Sequence, residues 1–280
     1  MKIYLANTSV TDFDYVRERL KESGYTVRSL ISFYYGRTIN FDNDFQDFDI
    51  FADSGAFSAW SKGTTIAVKD YGRWLQKWDG KFQAYSNLDV IGDPVATLDN
   101  QTALEDMGLD PLPVFHVGAP WEQLESYINK YPYIALGGMV PYMGRRVTLM
   151  PWLVQCFKMA EGRSVFHGFG ATNMHVLKDL PFYSVDSSAW IAGVRFGSTL
   201  IFDRSQGRMV NIRTIDKPER WFSFAPYLRE RGFDPANLGV NSKEIRASMC
   251  QIAALSFNEF ESYLTEKHGE ITIPTAGRNI

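Results

Sequence analysis

Short apolar segments alternate with helix-like segments along the first two thirds of the chain, and this alternation constrains the fold most strongly. We predict eight strands, rich in β-branched and aromatic residues, near residues 2–7, 27–34, 49–53, 82–89, 112–118, 133–139, 164–170 and 182–187. Helices are predicted between them near residues 11–23, 68–79, 95–107, 121–130, 147–160 and 173–179. Strands that alternate with helices in this way are typical of parallel sheets.

Eight such units favour an α/β fold, a (β/α)8 barrel of the TIM type. A doubly wound open sheet is the alternative, but ANTSVTDFD follows the first strand where that fold carries a glycine-rich fingerprint. An irregular loop over residues 35–48 replaces one crossover helix. The barrel is expected to span about residues 1–195. After it we expect a hairpin (199–213) and helices near 218–231 and 243–266. We therefore predict a single domain over residues 1–280, with a C-terminal extension from about residue 196.

The composition excludes several classes of protein. Hydrophobic residues at 45% and charged residues at 22% are typical of a globular chain. No apolar run approaches the roughly 18 residues of a membrane span, and MKIYLANTSV is too polar for a secretory signal peptide. Two distant cysteines, Cys156 and Cys250, exclude a disulfide scaffold and a four-cysteine zinc site. We expect a cytoplasmic protein with no membrane partner.

Polar residues and glycines recur where the predicted strands end. In chain order they are Asp53, Asp89, His116, Gly137, Gly138, His167, Gly168, Gly170 and Asp186. Because the carboxyl ends of barrel strands surround the active site, these residues are expected on one face. A carboxylate at a buried strand end must be paired or used, which makes the aspartates candidate catalytic groups.

Each of these residues also has a purely structural interpretation. Asp53 lies in an Asp-Ser-Gly sequence that can form a turn, and Asp89 can cap the following helix. His116 and His167 can be core histidines with satisfied hydrogen bonds. The same histidines and aspartates could in principle hold a divalent ion, but no His-x-His or other close pair is present. We therefore expect no metal site.

The net charge of −3 hides a basic segment. Between Ile191 and Arg231, eight basic and four acidic residues give a local charge of +4. A basic patch on an acidic protein can contact phosphates, although scattered arginines on a solvated surface give the same count.

The ordered motifs resemble those of the tRNA-guanine transglycosylases. Residues 53–58, DSGAFS, resemble the Asp-Ser-Gly-Gly-(Phe/Tyr)-Gln motif of that family. Further along, Asp89 ends a strand, ALGGMV resembles the Gly-Gly-Leu loop, and HGFG resembles a Met-Gly-Val-Gly strand. Asp186 follows about 16 residues later. The resemblance covers residues 49–190, about half of the chain.

The chain also departs from the family pattern. The family carries a Cys-x-Cys-x-x-Cys…His zinc site after the barrel, where this chain has only Cys250. Ala56 and Ser58 replace the second glycine and the glutamine of the first motif, and His116 replaces a glutamine of strand five. The strand-two motif is SFYYG in place of Asn-Thr-Tyr. A compact chain without the zinc module is more similar to the DpdA-like enzymes, which insert 7-deazaguanine derivatives into DNA.

The resemblance implies an enzyme that exchanges guanine in a polynucleotide for a 7-deazaguanine base, with DNA favoured as the polymer and tRNA as the alternative. It implies that Asp186 attacks C1′ of the sugar and that Asp53 binds the base edge or moves a proton. The implied base-binding residues are Asp89, His116, Gly137, Gly138, Met139, Phe57 and His167, with Phe57 and His167 flanking the base plane. Arg195, Arg204 and Arg208 are expected to contact the nucleic-acid backbone.

The resemblance implies no cofactor, and it leaves accessory proteins as further candidate partners. Two other functions fit the same residues. A nucleoside or sugar hydrolase would use two carboxylates with water as the acceptor, and a non-catalytic module would only bind a nucleobase.

Overall fold

Eight parallel strands form the central sheet. The structure, a computed structural model, describes residues 1–6, 10–139, 142, 146–171, 173–239 and 242–275. The strands are β1 (Lys2–Ala6), β2 (Val27–Ser32), β3 (Phe48–Asp53), β4 (Ala84–Tyr85), β5 (Val114–His116), β6 (Tyr133–Gly137), β7 (Val165–Gly168) and β8 (Ser184–Ser187). Their order in the sheet is β4-β3-β2-β1-β8-β7-β6-β5. Apart from β4 and β5, strands that are consecutive in the sequence lie side by side in the sheet, and β1 also pairs with β8.

The two edge strands, β4 and β5, approach each other as well. An isolated parallel bridge joins Ser86 to Leu112, immediately after β4 and before β5. The Leu112 N–H donates to the Tyr85 carbonyl at 2.8 Å, and the Asn87 N–H donates to the Leu112 carbonyl at 2.9 Å. The predicted α/β class with eight parallel strands is confirmed, and the arrangement is compatible with a TIM-like barrel.

Helices connect the strands largely as the sequence pattern predicts. They are α1 (Val10–Glu22), α2 (Phe33–Gly36), α3 (Phe41–Asp44), α4 (Ala56–Ser61), α5 (Val68–Lys77), α6 (Pro94–Asp106), α7 (Trp121–Lys130), α8 (Arg146–Ala160) and α9 (Met174–Asp179). The predicted loop over 35–48 was partly wrong, because α3 and the end of α2 fall within it. Asn40 caps α3 by accepting from the Asp42 N–H, and Phe41 packs against Trp74 and Trp78. Helices of four residues are too short to show a helical periodicity in sequence.

The C-terminal extension consists of a hairpin and several helices. Its elements are α10 (Ala192–Phe196), β9 (Ser198–Asp203), β10 (Arg208–Arg213), α11 (Pro218–Phe222), α12 (Ala225–Glu230) and α13 (Lys243–His268). The hairpin is confirmed, with antiparallel pairing of β9 and β10. The helix predicted over 218–231 is broken in two, because Pro226 occupies the first turn of α12 and cannot continue the preceding helix.

Helix α13 runs along the side of the sheet towards the amino ends of the strands. Its C-terminal half carries Glu261, which accepts from the Ile3 N–H at 2.7 Å and pairs with Arg28 at 2.5 Å. Near its other end Met249 and Cys250 pack against Gly193 of α10, just beyond the carboxyl end of β8. One end of α13 therefore lies near the amino ends of the strands, and its other end lies near their carboxyl ends.

One hydrophobic cluster joins the strands to this extension. It contains Ile3 and Leu5 of β1, Val185 of β8 and Phe260 of α13, all buried. Burial of this surface stabilises the packing of α13 on the sheet. Within the described residues, none of the helices has the length and apolar character needed to cross a membrane.

Candidate active site at the carboxyl ends of the strands

Three aspartates converge at the carboxyl ends of the strands. Asp53 is the last residue of β3, Asp186 lies near the end of β8, and Asp89 follows β4. The negative charges of Asp89 and Asp186 both act on the Asp53 carboxyl. The structure therefore brings the three predicted carboxylates into one electrostatically coupled group.

Burial and the neighbouring charges make Asp53 an unusually weak acid. Burial raises the pKa of Asp53 to about 7, and the charges of Asp89 and Asp186 contribute in the same direction. Hydrogen bonds from the backbone N–H groups of Gly55 and Ser54 oppose the shift. Near neutral pH the Asp53 carboxyl is thus present in both protonation states, which suits a group that gives up and takes back a proton.

A tight turn places Asp53. Gly55 has φ +80°, and a Cβ at this position would collide with the Ser32 hydroxyl and lie 2.5 Å from Tyr34 Cβ. Only glycine fits such a left-handed position so close to a neighbouring segment. The Gly55 N–H donates to Asp53 Oδ2 at 2.9 Å. The turn predicted as the structural interpretation of Asp-Ser-Gly is therefore present, and it orients the carboxyl.

Asp186 is held through one oxygen only. Asp186 Oδ1 accepts from the Gly170 N–H at 2.7 Å and lies 3.5 Å from His167 Nε2. Oδ2 has no hydrogen-bond partner in the part of the chain that the structure describes. The side chain is thus oriented by Oδ1 while Oδ2 is available to a substrate atom.

His167 lies next to Asp186 and is itself held by a chain of hydroxyl groups. His167 Nδ1 is 2.6 Å from the Ser184 hydroxyl, which is 2.5 Å from the Tyr133 hydroxyl. Burial lowers the pKa of His167, so the ring is neutral at pH 7. If Tyr133 donates to Ser184 and Ser184 donates to Nδ1, the proton lies on Nε2, which is 3.5 Å from Asp186 Oδ1 without forming a hydrogen bond to it.

Aromatic side chains enclose the His167 ring. It is fully buried, and it stacks on Phe51 with 4.2 Å between ring centroids. Phe169 packs edge-on against it at 4.7 Å. His167 is predicted to flank a base, but Phe51 and Phe169 cover its ring, and its Nε2 lies 3.5 Å from Asp186 Oδ1.

Asp89 and His116 form a pair on another side of the site. His116 Nε2 lies 2.8 Å from Asp89 Oδ2. The alternative role of Asp89 as a helix cap is not observed, because Asp93 caps α6 by accepting from the Val95 and Ala96 N–H groups. His116 is likewise no isolated core histidine, since its partner is the predicted site carboxylate.

Gly137 makes room for His116. A Cβ at Gly137 would lie 2.6 Å from His116 Cδ2 and 2.8 Å from Nε2. We expect Gly137→Ala to displace the ring from Asp89 and to destabilise the protein by about 1–3 kcal/mol, as overpacking does. Urea unfolding measures this change. The matched control is Gly239→Ala, where nothing lies within 4 Å of the added carbon. Equal destabilisation by both variants would contradict this reading of Gly137.

The next two predicted residues can contribute only backbone atoms. Gly138 has φ +69°, and Met139 packs its side chain in the hydrophobic core with 1% exposure. Backbone contacts from Gly138 and Met139 to a base stay a prediction.

Phe57 lies at the edge of the site with half of its surface exposed. It is accompanied by Trp60, one turn further along α4, with 5.9 Å between the ring centroids. Trp60 was missed in the sequence analysis. The Phe57–Trp60 spacing of three residues on a helix is a signal that could have indicated it.

The three predicted phosphate-binding arginines do not form one surface. Arg195 is exposed on α10, which follows the carboxyl end of β8. Arg204 pairs instead with Glu266 at 2.5 Å, near the end of α13 that contacts the amino ends of the strands. Arg208 is the first residue of β10 and pairs with Asp203, so it lies at the same hairpin turn as Arg204. The prediction of one phosphate-binding surface for Arg195 and Arg204 was wrong although they are close in sequence. Strand β9 lies between them and runs from the carboxyl ends of the parallel strands towards their amino ends.

Several polar residues of the site were not found by sequence reasoning. Ser184 and Tyr133 support His167, and the buried Ser32 hydroxyl lies beside Gly55 at the end of β2. Ser184 could have been found, since it precedes Asp186 by two residues and such residues share one face of a strand.

The described residues contain no group of three or more His, Cys, Asp or Glu side chains that could hold a metal ion. The comparisons with known proteins add no family, since no family model matches the chain and no curated protein matches it.

Proposed function

We propose that this protein exchanges guanine in DNA for a 7-deazaguanine base through a covalent intermediate between Asp186 and the sugar. The observation that carries the proposal is the position of Asp186, held through Oδ1 with Oδ2 available, beside the protonatable Asp53. The eight-stranded α/β fold and the resemblance of the DSGAFS, ALGGMV and HGFG segments to the transglycosylases support it. In this proposal the fold is a (β/α)8 barrel, with its active site at the usual end.

In the first half of the reaction, Asp186 Oδ2 attacks C1′ of the target nucleotide. The O–C1′ bond forms while the C1′–N9 bond breaks, and the bonding electrons leave with the purine. Protonated Asp53 gives its proton to the departing guanine. A carboxylate is suited to this step, since the carbon is electron-poor in the transition state and can be captured covalently.

The second half reverses these events with the incoming base. Asp53, now ionised, takes the proton from N9–H of the 7-deazaguanine. N9 then attacks C1′, and the Asp186 carboxylate leaves. One group with a pKa near 7 can thus serve both halves, with no net change in protons.

The Asp89–His116 pair is the proposed reader of the base edge. Asp89 Oδ2 is engaged by His116, which leaves Oδ1 to accept from the N–H donors of guanine or its deaza analogue. In this proposal, backbone groups of Gly138 and Met139 contact the same edge. A fixed acceptor discriminates strongly against bases that lack the matching donor.

An exchange assay tests this proposal. DNA containing radiolabelled guanine is incubated with the protein, with and without 7-deazaguanine, and tRNA serves as a parallel substrate. We expect label to be released from DNA only when the incoming base is present. Release from DNA into water without any base would indicate a hydrolase. Release from tRNA alone would overturn the choice of DNA, and binding of the base without release from either polymer would indicate a non-catalytic module.

A further inference from the structure

Exposed aromatic and cationic side chains lie on the segments that follow β2, β3 and β8, where the strands that carry Asp53 and Asp186 end. We call this set the rim surface; it consists of Tyr35, Phe57, Trp60, Lys62, Arg195 and Phe196. The exposed fractions of the four aromatic residues are 55%, 48%, 59% and 76% in that order. Large apolar side chains exposed as a group mark interaction sites.

Contacts and topology join the parts of this surface. Lys62 Nζ lies 4.9 Å from the centroid of the Tyr35 ring, and helices α2 and α4 contact each other. The neighbouring Lys62 lowers the pKa of Tyr35, and the charge of Arg195 acts on Tyr35 in the same direction. Helices α2, α4 and α10 follow β2, β3 and β8, and only β1 lies between β2 and β8 in the sheet, so the three segments begin at the carboxyl ends of nearby strands.

The surface adjoins the two proposed catalytic residues. Helix α4, with Phe57 and Trp60, begins three residues after Asp53, and α10, with Arg195 and Phe196, begins six residues after Asp186. A polymer lying on the rim surface would thus pass directly beside Asp53 and Asp186.

The positive charges of the surface are available to a ligand. Among the described residues, no carboxylate forms an ion pair with Lys62 or Arg195, whereas Arg204 at the opposite face is paired with Glu266. Aromatic faces combined with unpaired cations are the features that bind unpaired bases and phosphates. A duplex hides the faces of its bases, so it cannot use such rings for stacking.

We propose that the rim surface binds single-stranded DNA on both sides of the nucleotide that enters the active site, an inference that rests on the proposed function. Trp60, Phe57 and Phe196 stack with flanking bases, and Lys62 and Arg195 contact phosphates. The preferred substrate is then an unpaired or locally opened strand.

Fluorescence anisotropy with a labelled 12-nucleotide DNA strand tests the inference in the absence of any incoming base. We expect Trp60→Ala to weaken binding of the single strand about tenfold, as loss of one stacking platform does. Trp60→Phe, which keeps a ring, should retain most of the affinity. The double variant Lys62→Gln/Arg195→Gln should flatten the slope of log affinity against log salt by about 1.4. The matched control is Arg204→Gln on the opposite face, expected to leave affinity unchanged.

Three results would overturn the inference. Duplex DNA of the same sequence could bind as tightly as the single strand, Trp60→Ala could leave the affinity unchanged, or the matching RNA strand could bind tenfold more tightly. Because binding is read without turnover, Trp60-dependent binding by a protein that exchanges no base would refute the proposed function and keep the binding surface. Base exchange on DNA together with unchanged binding by Trp60→Ala would refute the binding surface and keep the proposed function.

Discussion

Replacing Asp186 with asparagine is expected to lower base exchange by at least about 10³-fold while the protein remains folded. An amide has nearly the shape of the carboxylate, and its oxygen can still accept from the Gly170 N–H that now bonds to Oδ1. The variant lacks the anionic oxygen that forms the bond to C1′. The loss should therefore appear in kcat, with little change in DNA affinity, and unfolding by urea should show an intact fold.

The residues beneath Asp186 provide the comparison for this variant. Ser184→Ala removes the hydroxyl between Tyr133 and His167 Nδ1, so it loosens the orientation of His167 without removing a reacting atom. We expect a loss of exchange much smaller than that of Asp186→Asn. An Asp186→Asn protein with more than a tenth of the original rate would contradict the role assigned to Asp186.

Asp53→Asn is expected to stabilise the protein at high pH and to impair exchange. The folded protein raises the pKa of Asp53 to about 7 from 3.8, so the folded state holds this proton more tightly than the unfolded state. Its contribution to stability is complete below about pH 4 and is lost as pH rises through about 7. The neutral asparagine does not suffer this loss. We expect a gain of a few kcal/mol at pH 8, at about 1.4 kcal/mol for each unit of pKa shift, and almost none at pH 4.

Thermal unfolding of the two proteins at pH 5 and pH 8 measures the effect. Asp70→Asn, at an exposed carboxyl paired only with Arg73 on the surface, is the control and should give no gain at either pH. A gain for Asp53→Asn that is equal at both pH values would contradict the raised pKa. The same variant should lose exchange across the pH range, since it can neither donate nor accept the proton that moves between the two bases.

Strands and carboxylates were the most predictable features of this chain. A buried parallel strand is an apolar run with a polar residue where it ends, and Asp53, His116 and Asp186 each fit that pattern. Their convergence follows from the topology, because parallel strands present their carboxyl ends on one face.

Features that depend on packing between distant segments were harder to predict from the sequence. Sequence position suggested one surface for Arg195 and Arg204, but the hairpin crosses the molecule between them. His167 lies at a strand end like Asp186, yet contacts with Phe51 and Phe169 enclose its ring. No local pattern distinguishes a residue that faces the site from one that supports it from below.

The central claim is tested most directly by the mass of the protein after incubation with single-stranded DNA and no incoming base. We expect denaturing mass spectrometry to show a species equal to protein plus DNA minus one guanine, with the attachment mapped to Asp186 and absent in Asp186→Asn. An adduct that persists in Asp186→Asn, or base exchange without any adduct in the unaltered protein, would contradict a covalent Asp186 intermediate.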